Sequence, residues 1–354
     1  MRVFVKNVFA VLALGSLAPL ASADWNVVYL DPEVGFGSSA YTVNGTHQAG
    51  QVDGFASLWN GTAASYVDLN PGGSIGSDIA SFNGNQQFGT ATFSGFLDHA
   101  GLWNGTAASF VDLNPDFLDE TEAEDSDGVQ QVGWGIKGQS RYACLWSGTK
   151  ASFVDLTPAG ANAWAHGVHN GKQVGAFMTN NVESAALWSG TAASLVNLHP
   201  VGASHSQARA VYGDYQGGSA NFTGGWEAVL WHGTAESYTQ LSPVLGASSG
   251  VYGMFDGVQV GGVYLNDAFH ASMWNGTRES WFDLNTLLSA DYTDANAFSV
   301  WGDGANLYIG GQATNINTNR LEAVVWVQSV PEPASTAAMA LGIIGLVAKR
   351  RSKK

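Results

Sequence analysis

The sequence predicts an all-β fold, a seven-bladed β-propeller with four-stranded blades, and three observations carry that expectation. A tryptophan-centred segment recurs seven times: ASLWNGT (56–62), AGLWNGT (100–106), ACLWSGT (143–149), AALWSGT (185–191), AVLWHGT (228–234), ASMWNGT (271–277) and AVVWVQS (323–329). Its tryptophans, Trp59, Trp103, Trp146, Trp188, Trp231, Trp274 and Trp326, are 44, 43, 42, 43, 43 and 52 residues apart, and a period near 43 is that of a propeller blade. The first run, WNVVYLDP (25–32), has no tryptophan segment before it, and the last, EAVVWV (322–327), has no DLNP run after it. Each terminus is therefore expected to supply half of one blade, and their pairing closes a ring without open sheet edges. A linear β-solenoid of the same repeats would leave both half-units unpaired.

Composition agrees. Of 354 residues, 45 are Gly, 41 are Phe, Trp or Tyr, and only 12 % are charged. Glycine and aromatics without charge suit short strands and tight turns, because helical surfaces carry Lys and Glu. A coiled coil, a disordered chain and a helical bundle are not expected. Setting aside Arg2, Lys6, the five cations of the C-terminal finish and Glu332 leaves 28 acidic against 7 basic residues, a net charge of −21 over residues 24–331. A body this acidic repels phosphate backbones, so no nucleic-acid partner is expected.

Each repeat reads as four strands. After the tryptophan, Asn-Gly between two alternating runs predicts a two-residue hairpin turn with both residues at positive φ. The second run ends in DLNP or a variant, as in SYVDLNP (65–71), SFVDLNP (109–115) and SLVNLHP (194–200). A short strand follows, then a second glycine turn such as Asn83-Gly84 or Asn170-Gly171, then a strand such as QVGA (173–176) leading to the next tryptophan. The long last spacing predicts an inserted loop around residues 287–297. The seven tryptophans are expected in the core, where burying ~200 Å² of ring at ~25 cal/mol per Å² stabilises by roughly 5 kcal/mol before ordering costs. Alanine three positions before each tryptophan marks a close contact that larger side chains would overpack.

The ends carry address information. Residues 1–23 hold Arg2 and Lys6, an apolar run from Val8 to Leu20, then Ala21-Ser22-Ala23. This is the charged, apolar, small-residue order of a secretory signal, with cleavage expected after the A-x-A of Ala21 and Ala23. At the other end Val330, Pro331, Glu332 and Pro333 precede an apolar stretch, Ala334 to Ala348, and the basic finish KRRSKK (349–354). The prolines stop any preceding strand, the apolar stretch suits a short transmembrane helix, and the five cations resist translocation. These three parts in this order resemble PEP-CTERM sorting signals of exported proteins from Gram-negative bacteria that make exopolysaccharide. The resemblance implies that an exosortase-type membrane protease recognises residues 330–333 and removes the tail. An ordinary C-terminal anchor is the alternative. The expected organisation is thus a signal peptide (1–23), a propeller (24–329) and a sorting signal (330–354).

The A-x-L-W and V-D-L pattern also resembles the extracellular HAF repeat family, whose unit is approximately His-Ala-Phe-Leu-Trp, a glycine turn, then Asp-Leu-Gly. His99-Ala100 and His270-Ala271 stand at its His-Ala positions. The chain departs in having DLNP for DLG and in lacking the histidine from five units. This resemblance implies a fold and an exported address, and carries no catalytic residues over.

Motifs for chemistry are sparse. GASSG (246–250) matches G-x-S-x-G in letters, yet a nucleophile elbow needs a strand-turn-helix around Ser248, and the segment falls between propeller strands. GWGIKG (133–138) matches G-x-G-x-x-G without a βαβ unit. The run from Asp116 to Asp127 reads as a solvated acidic loop. Its end, Asp125-Ser126-Asp127-Gly128, also looks like part of a calcium loop with Ala123 in the first ligand place, which makes Asp119, Glu122, Glu124, Asp125 and Asp127 the candidate calcium ligands. His166 and His169 lack a third ligand at metal spacing. Cys144, the sole cysteine, is expected to be a buried apolar residue, so no disulfide supports the fold. Asn-x-Thr triplets at Asn44, Asn60, Asn104, Asn221 and Asn275 mostly coincide with expected turns, and hairpin geometry explains them better than glycan acceptance.

The expectation is a non-catalytic exported propeller of the envelope or extracellular matrix, with exopolysaccharide or an envelope protein as partner. Two alternatives stay open. One is a polysaccharide lyase or glycosidase at the central opening, using repeat-breaking residues among Asp53, Asp98, Arg209, Asp214, Asp267 and Asp294. The other is a calcium-dependent adhesin.

Overall fold

In the computed structural model residues 24–33 and 35–330 are described, and they form seven four-stranded antiparallel sheets. Blade 2 shows the pattern: an innermost strand Gly76–Asn83, a second strand Gln86–Phe93, a third strand Leu97–Trp103 and a two-residue outermost strand Val111–Asp112. The other innermost strands are Ser38–Asn44 in blade 1, Glu120–Ser126 in blade 3, Asn162–His169 in blade 4, His205–Tyr212 in blade 5, Ser249–Phe255 in blade 6 and Tyr292–Gly302 in blade 7. The meander puts the turn between first and second strands on one face, called lower here. The links between second and third strands, and between blades, lie on the upper face. The export-signal residues Ala21 and Ala23 and the motif residues Pro331, Glu332 and Pro333 lie outside the described residues. Among the described residues no helix is long and apolar enough to cross a membrane.

Hydrophobic burial is organised between blades. Seven apolar clusters each join one blade to the next, and in each the repeat tryptophan of one blade packs on the A-x-L-W alanine or the D-L leucine of the blade before it. All seven tryptophans are at most 1 % exposed, and the alanines are fully buried. The indole N–H of Trp103, Trp274 and Trp326 donates to the carbonyls of Leu69, Leu241 and Leu284 in the preceding blade, at 2.9, 2.8 and 3.2 Å. A second clasp crosses the same seams: the amides of Ala56, Ala100, Ala185, Ala228 and Ala323 donate to Ser77, Thr121, Ser206, Ser249 and Ser38 of the next blade, at 2.9 to 3.0 Å. Cys144 is buried in the cluster between blades 2 and 3, and burial pushes its thiol up.

Three expectations need correction. The ring closes one strand against three, because Trp25–Tyr29 pairs with Arg320–Ser329, beyond which lie Asn306–Asn315 and Tyr292–Gly302. The run 25–32 occupies the outermost position alone, and the three strands that precede that position in every repeat come from the other end of the chain. Asp31 locks this seam by accepting two hydrogen bonds from the Arg320 guanidinium, both 3.1 Å.

The turn after each of the first six tryptophans is no two-residue hairpin. Gly61 has φ +72° while Asn60 stays at negative φ, and a 3-10 turn at Ala63–Ser65 precedes the outermost strand. The side chain of Ser65 accepts from Asn60 N at 2.7 Å, a bond repeated by Ser109, Ser152, Ser194, Ser237 and Ser280. That serine satisfies an amide a tight hairpin would have paired with its partner strand.

The extra residues of the last repeat form no free loop. They make a 3-10 turn, Leu284–Leu287, and lengthen the three strands of blade 7 to 11, 10 and 10 residues. Continued pairing satisfies their backbone groups, which a loop would leave to water.

Candidate functional site

Every innermost strand carries a β-bulge. The register slips at Tyr41, Ala80, Glu124, His166, Arg209, Tyr252 and Phe298 in blades 1 to 7. Opposite the residue preceding each bulge stands a glycine of the second strand: Gly50, Gly89, Gly133, Gly175, Gly218, Gly261 and Gly311. A Cβ at any of these would lie 1.9 to 2.1 Å from a carbonyl oxygen of the innermost strand. Glycine therefore permits the close approach that lets the strand bulge. The bulge re-aims one side chain per blade, and all seven line a central cavity of about 930 Å³.

The ring so formed has two characters. Blades 6, 7 and 1 supply Tyr252, Phe298 and Tyr41, with ring centroids 6.2 Å apart for the first pair and 5.4 Å, edge to face, for the second. The Tyr41 hydroxyl accepts from Gln51 Nε2 at 2.6 Å. Blades 3, 4 and 5 supply Glu124, His166 and Arg209. His166 Nδ1 is 3.4 Å from Glu124 Oε1, Trp134 Nε1 donates to the same oxygen at 3.1 Å, and Arg209 Cζ lies 5.9 Å from the Tyr252 ring. Burial opposes the Glu124 charge, yet His166 and Arg209 hold its carboxyl below the usual range.

Above this ring the acidic groups crowd together. Glu122 is pushed up to about 8, first by burial and then by Glu124, Asp98, Asp78 and Glu120. Asp78 is pushed up to about 7 by burial, with Glu124 and Asp98 adding to it against a backbone hydrogen bond from Thr90. Carboxylates on blades 2 and 3 thus share one patch of cavity wall and cannot all ionise at neutral pH. At the lower mouth an aromatic arc crosses blades 4 to 7. His169 stacks on Tyr212 at 4.5 Å, Tyr212 lies 5.2 Å from Phe255, and Phe255 lies 6.3 Å from Trp301. Asn44, Asn83 and Asp127 line the same cavity from blades 1 to 3.

The run Glu120–Ser126 is an innermost strand, which corrects its reading as a solvated loop. Its alternation decides this: Thr121 and Ala123 are buried between blades, while Glu122 and Glu124 face the cavity. The five candidate calcium ligands have other partners or positions. Asp119 accepts from Lys137 Nζ (2.6 Å) and Gly138 N (2.9 Å). Asp125 accepts from Val168 N in blade 4 (2.9 Å), and Asp127 from Gln130 N (2.8 Å) and Asn170 N (3.0 Å). Among the described residues no group of three or more His, Cys, Asp and Glu is arranged to hold a metal ion.

Of the repeat-breaking residues, Arg209 lines the cavity and Asp98 stands with the crowded carboxylates, accepting from Thr92 Oγ1 at 2.7 Å. The others sit elsewhere: Asp53 and Asp267 are turn residues at positive φ, Asp214 pairs with Lys172 at 2.5 Å, and Asp294 accepts from Phe269 N at 3.2 Å. Ser248 precedes a strand, its carbonyl accepting from Tyr264 N, with no helix following. Where the His-Ala histidine is retained it bonds the D-L aspartate of its own blade: His99 to Asp112 at 3.0 Å and His270 to Asp283 at 2.8 Å. The bulge ring itself was missed by sequence reasoning. Its available signal was glycine two residues after a buried glutamine, as in Gln173 and Gly175, a glycine inside a strand pattern that suggests a bulge.

A PEP-CTERM protein-sorting motif matches residues 329–351, a signal that implies export and processing by an exosortase-type system. No protein of curated function matches the chain in sequence. Among solved structures, the β-propeller domain of the Trilobed protease from Pyrococcus furiosus is similar with a TM-score of 0.54 at 8 % identity, over 84 % of this chain and 97 % of that one. An acylaminoacyl peptidase is similar with a TM-score of 0.54 at 8 % identity, over 85 % of this chain and 54 % of that one. A puromycin hydrolase gives 0.53 at 10 % identity, over 83 % and 56 %. The chain thus spans little more than half of either enzyme. At such identity the likeness concerns the fold alone: the chain is a seven-bladed propeller that carries a PEP-CTERM sorting motif.

Proposed function

We propose that this is a non-catalytic propeller of the envelope or extracellular matrix that binds a segment of exopolysaccharide in its central channel. One observation carries the reading: an aromatic arc of His169, Tyr212, Phe255 and Trp301 faces the amides and carboxylate of Asn44, Asn83 and Asp127 across one cavity. Aromatic faces take the C–H faces of sugars, and side-chain amides and carboxylates take their hydroxyls. We read the repeats as HAF-type because of the His-to-Asp bonds in blades 2 and 6, and take residues 1–23 as a cleaved signal peptide. The test is a binding array of residues 24–329 against extracellular polysaccharides, with calcium and with chelator. Selective binding that falls at least tenfold in Trp301→Ala supports the channel. Binding unaffected by that change, or none at all, would falsify it and point to a protein partner. Binding lost on chelation would favour the calcium-dependent adhesin.

A second reading has its own support. Glu122 and Glu124 lie two residues apart on one cavity wall with their carboxyls pushed in opposite directions, as an acid and a base of a glycosidase or lyase require. Turnover of a polysaccharide that disappears in Glu122→Gln would replace the non-catalytic reading.

A further inference from the structure

Both ends of the described chain leave the propeller at one place on its lower face. Trp25 pairs with Gln328, and Ser329 N donates to Asp24 O at 3.0 Å. Val330 N donates to Ala305 O at 2.7 Å, in the lower turn of blade 7. Strand Trp25–Tyr29 rises from this face and Arg320–Ser329 descends to it. The sorting motif therefore starts with no spacer: Pro331 directly follows the last hydrogen-bonded residue, and the apolar stretch begins at Ala334.

We infer that the lower face is the membrane-facing surface of the tail-bearing chain, seated against the lipid headgroup layer, and that the upper face points away from it. This rests on the tail acting as the membrane-inserting sorting segment. The reach of the chain sets the geometry. From Val330 to Ala334 a fully extended backbone spans no more than ~14 Å, about twice the depth of one headgroup layer and far less than a propeller's width. The propeller cannot turn over on so short a tether. The surfaces agree with that arrangement. Lower turns are mostly Asn, Gly, Thr, Ser and Asp, with the charged Lys150, Glu236, Arg278 and Glu279 beside them, which suit a hydrated headgroup zone; Val129, 74 % exposed, is an apolar exception. The upper links expose Phe36, Phe96, Val201 and Leu245. Those side chains alone would suit a bilayer, but reaching it would require a linker around the whole ring. With the tail in place the lower channel mouth, with its aromatic arc, is covered, and the channel is entered from the upper mouth beside Glu122 and Asp78.

Energy transfer to a lipid-headgroup acceptor tests this in the full-length chain reconstituted into phosphatidylcholine vesicles. Asn104→Cys places a fluorophore on a lower turn and Phe96→Cys on an upper link, with strand Leu97–Trp103, ~20 Å of chain, between them. Buried Cys144 stays unlabelled in the native chain. Transfer at least threefold greater from position 104 than from 96 is expected. Inserting twenty Gly and Ser residues after Val330 should abolish the difference. Equal transfer from both sites, or more from 96, in vesicle-bound protein overturns the orientation. A chain that fails to float with the vesicles removes the sorting-tail reading beneath it.

Discussion

On the lower face six blades repeat one connection almost bond for bond, whereas on the upper face the turns between second and third strands differ from blade to blade. The links between blades share only their first turn, where in blades 1 to 4 the carbonyls of Pro71, Pro115, Pro158 and Pro200 accept the amides three residues on. In the lower connection the glycine after the tryptophan takes positive φ, and its amide donates to a buried glutamine of the neighbouring strand. The six pairs, from Gln48 with Gly61 to Gln259 with Gly276, measure 2.7 to 3.0 Å. Blade 7 has no such turn and holds Ile309 opposite Trp326 instead. A glutamine is kept only where an orphaned amide needs it, which identifies the lower connection as a structural solution and the upper turns between second and third strands as the place where sequence is free to vary. The contrast teaches where to look for function: among the upper links and the cavity residues whose identity changes from blade to blade.

The plane between the faces should be the most sensitive. Gly175→Val would bring a Cβ to within 1.9 Å of Trp164 O, and either the bulge that presents His166 or the strand pairing must yield. We expect a loss of about 3 kcal/mol or more in denaturant unfolding. A loss below about 1 kcal/mol would mean that the bulge does not depend on the glycine.

Next in size is the lower face. Gln173 is fully buried, accepts from Gly190 N at 2.7 Å and donates to Gln130 Oε1 at 2.8 Å. Gln173→Ala leaves the amide and a cavity behind, and should cost about 2 kcal/mol. Gln173→Ile, copying blade 7, should recover the packing part and leave about 1 kcal/mol. Equal losses for both variants would show that the hydrogen bond alone sets the cost.

What was legible in the sequence follows the same division. Tryptophan, the alanine before it and the D-L leucine meet at every seam, so their period disclosed seven blades, and the two incomplete repeats disclosed closure. The cavity was harder to read. A bulged residue such as Arg209 is selected by Gly218 on another strand, so nothing beside it in the chain announces its direction. The acidic run looked like loop by composition, while its alternation of Glu120, Glu122 and Glu124 with Thr121 and Ala123 already had the period of a strand with one face buried.

A smaller effect is expected at the cavity's upper end, and it depends on pH. Glu122, raised to about 8, keeps its proton in the folded chain at neutral pH and loses it near the ordinary carboxylate value once unfolded. Its protonated form favours folding fully below that ordinary value, and the advantage is lost as pH rises towards about 8. Glu122→Gln removes the ionisation. It should match the parent near pH 4.5 and be more stable at pH 9 by about 1 kcal/mol, or ~2 °C in Tm, because solvent at this half-buried site screens most of the full linkage effect. A variant no more stable at pH 9 than at pH 4.5, relative to the parent, would show that neither burial nor the charges of Glu124, Asp98, Asp78 and Glu120 hold the proton on it.

The smallest change expected is on the upper rim, and its sign is the informative part. Phe96 is 80 % exposed and sits at φ +60°, a backbone conformation that costs a bulky residue about 1 kcal/mol, beside Gly95 at φ +95°. Asparagine tolerates that conformation, so Phe96→Asn should stabilise by about 0.5 kcal/mol. An exposed aromatic held against its own backbone preference serves something other than folding, which is what a face turned away from the membrane and towards a partner would require. A loss of more than about 1 kcal/mol would instead make Phe96 a packing residue and erase the contrast between the faces at this position.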